Sequence, residues 1–140
     1  MKKKIVILGS TGSIGENTLK IISNDKKNFE VVLISTNRNF NKVFKQAKEF
    51  KVKNIIINDL LSFQKARSKF KKSNIKIYNN LNNFNKIFKK KNDIIMSSIT
   101  GMSGLEPTLK SIKFAKKILV ANKEAIICGW SLINKELKKH

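Results

Sequence analysis

The chain of 140 residues has very little of the residue types on which many binding and catalytic sites depend. It contains one cysteine, Cys128, and one histidine, the final residue His140. A single cysteine excludes an internal disulfide framework and a cysteine-rich zinc site. A single histidine at the end of the chain leaves no basis for histidine-centred acid–base chemistry or for a histidine-clustered metal site.

Long apolar runs are also missing, since a membrane-spanning helix needs about 18 such residues. The N-terminal segment Met1–Lys4 followed by Ile5–Leu8 looks like the start of a signal peptide. Its apolar part ends at Gly9, whereas a secretory peptide needs about seven to fifteen apolar residues. We therefore expect a protein of a reducing compartment, most simply the bacterial cytoplasm, with no membrane partner.

Acidic residues are scarce: 9 Asp and Glu stand against 30 Lys and Arg, for a formal net charge of +21. All but two of the basic residues, Arg38 and Arg67, are lysines, and they are spread through every segment. Base recognition and bidentate phosphate binding favour arginine. We therefore expect no nucleic-acid partner and attribute the lysine content to compositional drift, although the charge still favours a phosphorylated ligand.

The sequence does contain short, β-branched apolar runs, which are typical of strands buried on both faces of a parallel sheet. These runs lie at 5–8, 31–34, 55–57, 94–96 and 118–120, with a candidate edge strand at 75–78. Amphipathic helical patterns alternate with them, at 14–22, 43–50, 63–70, 81–88, 105–115 and 124–138. The alternation predicts an α/β fold: a doubly wound, mostly parallel, Rossmann-like sheet with helices on both faces and the phenylalanines in its core.

The segment Gly-Ser-Thr-Gly-Ser-Ile-Gly, residues 9–15, follows the first predicted strand and opens a predicted helix. In such a loop the first glycine permits the tight turn, Gly12 lets backbone N–H groups approach a pyrophosphate, and the third lets the helix pack closely. Thr11 and Ser13 offer hydroxyl donors, and Ser13 is a candidate helix cap. A glycine-rich turn without a ligand is the alternative. No Lys-Ser or Lys-Thr pair closes the loop, which argues against a triphosphate-binding P-loop.

The second predicted strand ends in Asn37-Arg38-Asn39, without the carboxylate that NAD-preferring sites place there. Arg38 can instead form charge-assisted hydrogen bonds to a ribose 2′-phosphate. A solvated loop arginine is the alternative. The residues at this position predict NADP(H) over NAD(H).

Two further polar segments follow later strands, at the sheet edge where open α/β folds bind ligands. Residues 97–104 form a loop of mostly small side chains. Residues 121–124, Ala-Asn-Lys-Glu, end a buried strand and begin a helix. This cluster favours contact with a substrate, and a simple helix cap is the alternative.

Three segments together resemble the 1-deoxy-D-xylulose 5-phosphate reductoisomerase family in order and spacing: Ile7–Gly15, Gly104–Leu109 and Leu119–Glu124. The resemblance spans essentially the whole chain as the family's N-terminal NADPH-binding domain. It implies conversion of 1-deoxy-D-xylulose 5-phosphate to 2-C-methyl-D-erythritol 4-phosphate, by rearrangement of the carbon skeleton and hydride transfer from NADPH. That reaction is an early step of non-mevalonate isoprenoid biosynthesis.

The resemblance also implies roles for individual residues. Lys123 is expected to contact the phosphorylated sugar substrate. The residues expected to bind NADPH are Thr11, Gly12, Ser13, Ile14, Asn37, Arg38, Asn39, Asn122 and Glu124. The family holds Mg²⁺ or Mn²⁺ through an Asp-Ser-Glu stretch and a later glutamate. We expect no metal ligand within this chain.

Residues 1–140 are accordingly expected to form the cofactor-binding domain, without the catalytic, metal-binding and C-terminal domains of the family. Such a fragment would be inactive alone, and the complete enzyme would be a homodimer. Two alternatives stay open: a noncatalytic nucleotide-binding module, and a dehydrogenase of another kind that shares the fold. Cys128, among Ile126, Ile127 and Trp130, is predicted to be buried.

Overall fold

The computed structural model describes all 140 residues of the chain. The strands are β1 Lys3–Leu8, β2 Phe29–Thr36, β3 Asn54–Ile57, β4 Lys76–Tyr78, β5 Asn92–Ser97 and β6 Ala115–Val120. The helices are α1 Ser13–Ser23, α2 Phe40–Glu49, α3 Leu60–Lys69, α4 Phe84–Ile87, α5 Leu105–Ser111 and α6 Lys123–Leu137. Short 3₁₀ turns at Leu81–Asn83, Met102–Gly104 and Ile112–Phe114 adjoin α4 and α5. Each predicted strand and helical pattern has its counterpart.

The six strands form one parallel sheet in the order β4-β3-β2-β1-β5-β6. Central strand β1 pairs with β2 on one side and with β5 on the other, where Ile7 lies opposite Met96. The chain winds outward from β1 to β4 and then crosses back to β5, so the winding direction reverses between β1 and β5. The predicted doubly wound, Rossmann-like fold is confirmed, and β4 is the predicted edge strand.

The uninterrupted apolar run of β1 is explained by two separate hydrophobic clusters, one on each face of the sheet. Ile5 and Ile7 belong to the cluster beneath α1 and α2, whereas Val6 and Leu8 belong to the one that contains Phe84. Because successive side chains of a strand point to opposite faces, only a strand covered on both faces keeps such a run out of water. All nine phenylalanines lie in or pack against these clusters, as predicted.

Two elements differ from expectation in their burial. The run 118–120 was predicted to be buried on both faces, but β6 is an edge strand of the sheet and Leu119 is 44% exposed. The second element is helix α6. Its buried stripe is Ala125, Gly129 and Ile133, and a Cβ on Gly129 would lie 2.2 Å from a methyl carbon of Leu105 on α5. Cys128 is exposed, so the prediction of its burial is wrong. Consecutive helical residues are about 100° apart, which turns Cys128 away from the stripe.

Four apolar side chains of α6 also face outward: Ile127, Trp130, Leu132 and Leu137 are 74%, 54%, 52% and 47% exposed. The apolar content of this helix therefore exceeds what its contact with α5 and the sheet can bury. Despite that content, none of the helices combines the length and the apolar character that crossing a membrane would require.

Candidate functional site

The predicted site residues converge on the carboxyl edge of the sheet, around the point where the winding reverses. The glycine loop follows β1, residues 98–101 follow β5, residues 121–122 follow β6, and residues 37–39 follow β2. Strands β2 and β6 are three places apart in the sheet, which is roughly 14 Å at the usual strand spacing. The edge therefore offers an extended crevice of the kind that dinucleotides occupy in open α/β folds.

The glycine loop has the backbone geometry that its sequence predicts. Gly9 has φ +82°, in the left-handed region, and a Cβ on it would lie 3.0 Å from the Ser98 carbonyl oxygen. At Gly15 a Cβ would lie 2.3 Å from the Gly9 carbonyl oxygen, so α1 packs onto the loop itself. A Cβ built on Gly12 would lie 3.6 Å from the Gly9 carbonyl oxygen, an ordinary contact, and would meet no side chain. No side chain therefore covers this part of the loop.

The N-terminus of α1 differs from the prediction in one respect. Gly12 is the N-cap residue, and no side chain caps the helix. Ser13 lies inside the first turn, so its predicted role as the cap is wrong. The first-turn N–H groups lack intrahelical partners by geometry, and a helix N-terminus of this kind attracts anions through these groups and its dipole.

A buried polar network fixes the glycine loop to β2 and α2. The Ser10 hydroxyl donates to Gln46 Oε1 at 2.8 Å, and Gln46 Nε2 donates to the Ser10 carbonyl oxygen at 2.9 Å. The Gly9 N–H donates to Ser35 Oγ at 3.0 Å, and the hydroxyls of Thr11 and Thr36 share a hydrogen bond of 2.7 Å. No buried side-chain polar atom of the chain lacks a partner. Thr11 is therefore held beside the end of β2.

Beyond β2, the side chains of residues 37–39 are exposed. Asn39 is the N-cap of α2, and its Oδ1 accepts from the Lys42 N–H at 3.2 Å. The Arg38 guanidinium Nε lies 3.5 Å from Asp59 Oδ1, and the Arg38 side chain is 78% exposed. The guanidinium thus stays available to a ligand while one carboxylate restrains it.

Asp59 reaches Arg38 from the end of β3, as the N-cap of α3. Its Oδ2 accepts from the Ser62 N–H at 2.9 Å. Hydrogen bonds from the Ser62 hydroxyl and N–H, followed by the charge of Arg38, lower the pKa of Asp59 below its ordinary value. The carboxylate is therefore ionised at neutral pH and complements the cation.

At the other end of the crevice, the loops after β5 and β6 enclose a pocket of about 100 Å³. Its lining residues are Ile14, Ser98, Ile99, Thr100, Gly101, Ala121, Asn122 and Glu124. The structure thus brings together three of the predicted cofactor residues, from two different helix N-termini. Lys123 is exposed at the start of α6 and does not line the pocket, and Arg38 lies across the sheet edge from it.

The residues present do not suit a divalent metal. No group of three or more His, Cys, Asp and Glu side chains is placed to hold one, and Glu124 is the only carboxylate lining the pocket. Mg²⁺ keeps several waters and is held through one or two carboxylates together with substrate oxygens, so Glu124 alone could supply at most one ligand.

Sequence patterns missed three residues that shape the site. Gln46 stands in the buried stripe of α2 beside Val43 and Ala47, and a polar residue inside an apolar stripe was a usable signal. Asp59, just after a buried strand, carried the weaker signal of a possible N-cap. The third residue is Gly104, where a built Cβ would lie 2.7 Å from Asn122 Nδ2. No sequence pattern predicts this contact.

Comparison with known proteins covers nearly the whole chain. The family model for 1-deoxy-D-xylulose 5-phosphate reductoisomerase matches residues 5–129. The reductoisomerase of Pelagibacter ubique is 51% identical over 140 residues, which are 99% of this chain and 36% of that protein. The chain thus spans about a third of the length of the curated relatives it matches.

Solved structures of reductoisomerases have the same fold as this chain. The reductoisomerase from Zymomonas mobilis in complex with NADPH superimposes with a TM-score of 0.88 at 26% identity, over 100% of this chain and 37% of that one. A reductoisomerase in complex with NADPH, fosmidomycin and magnesium gives a TM-score of 0.88 at 28% identity, over 99% of this chain and 34% of that one. With the fold, the loop after β1 and the family match all in agreement, the chain belongs to the 1-deoxy-D-xylulose 5-phosphate reductoisomerase family.

Proposed function

We propose that residues 1–140 form the NADPH-binding domain of a 1-deoxy-D-xylulose 5-phosphate reductoisomerase. The observation that carries the proposal is the glycine loop at the reversal between β1 and β5, with first-turn N–H groups that no side chain caps and no side chain over Gly12. The superposition on a relative solved with NADPH supports it.

The chain's own residues suit each part of NADPH. The diphosphate would lie on the first turn of α1, beside the hydroxyls of Thr11 and Ser13. Arg38 would bind the 2′-phosphate through charge-assisted hydrogen bonds, with Asn37 and Asn39 on either side. Bound there, NADPH supplies the hydride for reduction of a carbonyl group.

The nicotinamide end would lie at the pocket after β5 and β6. Ile14 lines it from α1, and Asn122 and Glu124 line it from the start of α6. Lys123, one residue along, is proposed to contact the phosphorylated sugar, since an exposed ammonium beside the pocket suits a substrate phosphate. The crevice from Arg38 to Glu124 follows the order of groups along an extended dinucleotide.

The complete enzyme would convert 1-deoxy-D-xylulose 5-phosphate to 2-C-methyl-D-erythritol 4-phosphate as a homodimer in the cytoplasm. Its Mg²⁺ or Mn²⁺ would be held by residues outside these 140, because the carboxylates here form no cluster. The chain by itself would therefore be a noncatalytic nucleotide-binding module, with no turnover. The free thiol of Cys128 suits a reducing compartment.

Titration calorimetry with NADPH, NADH and adenosine 2′,5′-bisphosphate tests the proposal on the chain as it is. We expect NADPH to bind more tightly than NADH, and the bisphosphate to bind because it carries the 2′-phosphate. NADPH should also raise the unfolding temperature in proportion to the logarithm of its concentration. No heat and no thermal shift at millimolar NADPH would reject the assignment.

A further inference from the structure

The side chain of Asn122 is buried, with 6% of the residue exposed, and all of its hydrogen-bond donors are used within the protein. Its Oδ1 accepts from the Ala125 N–H at 3.2 Å, as the N-cap of α6. Its Nδ2 donates to the Ile99 carbonyl oxygen at 2.8 Å and also to the Gly101 carbonyl oxygen. A primary amide has two N–H groups, so Asn122 has none left for a ligand.

Both carbonyl groups belong to the loop after β5, residues 98–101, which lines the pocket. At its start, the Ser98 hydroxyl donates to the Leu8 carbonyl oxygen at 2.6 Å. At its end, Gly101 has φ +70°. The loop is therefore anchored to β1 on one side and to Asn122 on the other.

Gly104 is part of the same arrangement. A Cβ on Gly104 would lie 2.6 Å from the Ile99 carbonyl oxygen and 2.7 Å from Asn122 Nδ2. Both distances are too short for real contacts, and both atoms belong to one hydrogen bond. A methyl group at this position would thus push the donor and the acceptor apart.

We propose that Asn122 is a positioning residue: its amide ties the loop 98–101 to the N-terminus of α6 and so holds the wall of the nicotinamide-side pocket. The inference rests on the proposed NADPH function and refines it. The resemblance implies binding of NADPH by Asn122. The geometry leaves only the second lone pair of Oδ1 for such a contact and commits both N–H groups to the loop.

Asn122→Ser keeps the helix cap while it removes the hydrogen bonds to the loop. Serine is also a good N-cap, so it can still accept from the Ala125 N–H, but its short hydroxyl cannot donate to both carbonyl groups. Asn122→Asp is a second variant. It keeps the shape of the side chain and the helix cap, but its carboxylate has no N–H to donate and repels the two carbonyl oxygens. Asn80→Ser is the matched control, because Asn80 caps the remote 3₁₀ turn Leu81–Asn83.

Amide hydrogen exchange on the unliganded chain tests the tether itself. Asn122→Ser and Asn122→Asp should speed exchange of the Ser98 and Gly104 N–H groups, which donate to the Leu8 and Gly101 carbonyl oxygens, about tenfold, the effect of losing one or two buried hydrogen bonds, while Asn80→Ser should not change it. Unchanged exchange in both Asn122 variants would overturn the tether, whether or not NADPH binds. Absence of NADPH binding by the unaltered chain would instead overturn the proposed function.

Calorimetry then tests the role in binding. Asn122→Ser should weaken NADPH about tenfold and leave adenosine 2′,5′-bisphosphate within a factor of two, because only the nicotinamide end meets this loop. Gly104→Ala, which opens the tether with Asn122 in place, should weaken NADPH similarly. The double variant should be no weaker than either single one. Additive losses, or an equal loss for the bisphosphate, would overturn the proposal.

Discussion

Ser10 and Gln46 exchange two hydrogen bonds, hydroxyl to side-chain carbonyl at 2.8 Å and side-chain amide to backbone carbonyl at 2.9 Å. Ser10 belongs to the glycine loop, and Gln46 belongs to α2, the helix that follows Arg38 and Asn39. The pair therefore joins the proposed diphosphate position to the proposed 2′-phosphate position through one buried contact. Two parts of a single ligand would then be recognised by one rigid unit.

Gln46→Leu should destabilise the chain and weaken NADPH. Leucine is similar in size but leaves the Ser10 carbonyl without its partner and the Ser10 hydroxyl with only the longer bond of 3.3 Å to the Ser35 carbonyl oxygen, which costs about 1–3 kcal/mol in the free energy of unfolding. Urea unfolding followed by circular dichroism measures this change. Gln64→Leu, at an exposed position of α3, is the control and should stay within about 0.5 kcal/mol. Equal effects of the two substitutions would contradict the role of the Ser10–Gln46 pair.

Arg38→Glu should abolish the preference for NADPH over NADH. The substitution replaces charge-assisted hydrogen bonds to the 2′-phosphate by repulsion, and such bonds are worth about 1.5–3 kcal/mol, or roughly 10- to 100-fold in affinity. NADH, which lacks that phosphate, should bind as before. Arg67→Glu makes the same charge change on α3, at the chain's other arginine, and should leave the ratio of dissociation constants unaltered. An unchanged ratio in Arg38→Glu would reject its assigned role.

Asp59→Asn should make the free energy of unfolding depend less on pH below about pH 4. Because folding lowers the pKa of Asp59, its ionised form stabilises the folded state above about pH 4, the ordinary aspartate value. That contribution is lost as the pH falls from there towards the lowered folded-state pKa. Asparagine still caps α3 but lacks the charge, so the variant should be somewhat less stable than the unaltered chain at pH 7, and the two should converge as the pH falls. The measurement is the urea midpoint of unfolding of both proteins between pH 2.5 and pH 7. A parallel decline of the two midpoints with falling pH would contradict the role assigned to the Asp59 carboxylate.

Gly12→Asp should prevent binding of NADPH without unfolding the chain. A Cβ at this position meets no atom closer than 3.6 Å, so the new side chain fits, but its carboxylate occupies the space above the first turn of α1 and repels a diphosphate. Asn17→Asp adds a negative charge to the exposed side of the same helix and is the control. Calorimetry should show a loss of at least tenfold for Gly12→Asp alone, since charge-assisted hydrogen bonds are displaced; comparable losses in both variants would indicate a general charge effect.

The features predictable from sequence are those fixed by local patterns. The run Ile5–Leu8 required a strand covered on both faces, and the glycine spacing required a tight turn into a helix. Residues fixed by contacts between distant segments escaped prediction: Gln46 meets Ser10 across 36 positions, and Asp59 meets Arg38 from the neighbouring strand. Cys128 was misplaced because the angular position of the buried stripe depends on α5, which the pattern of α6 alone does not reveal.

The outward-facing indole of Trp130 determines how the intrinsic fluorescence of the chain responds to unfolding and to binding. It is the one tryptophan of the molecule, and it is already half in water in the folded state. Its emission should shift little when the sheet melts, and it should respond strongly when another surface covers α6. Intrinsic fluorescence at this position is thus a probe of contacts made by the outer side of the domain, while backbone dichroism follows the core.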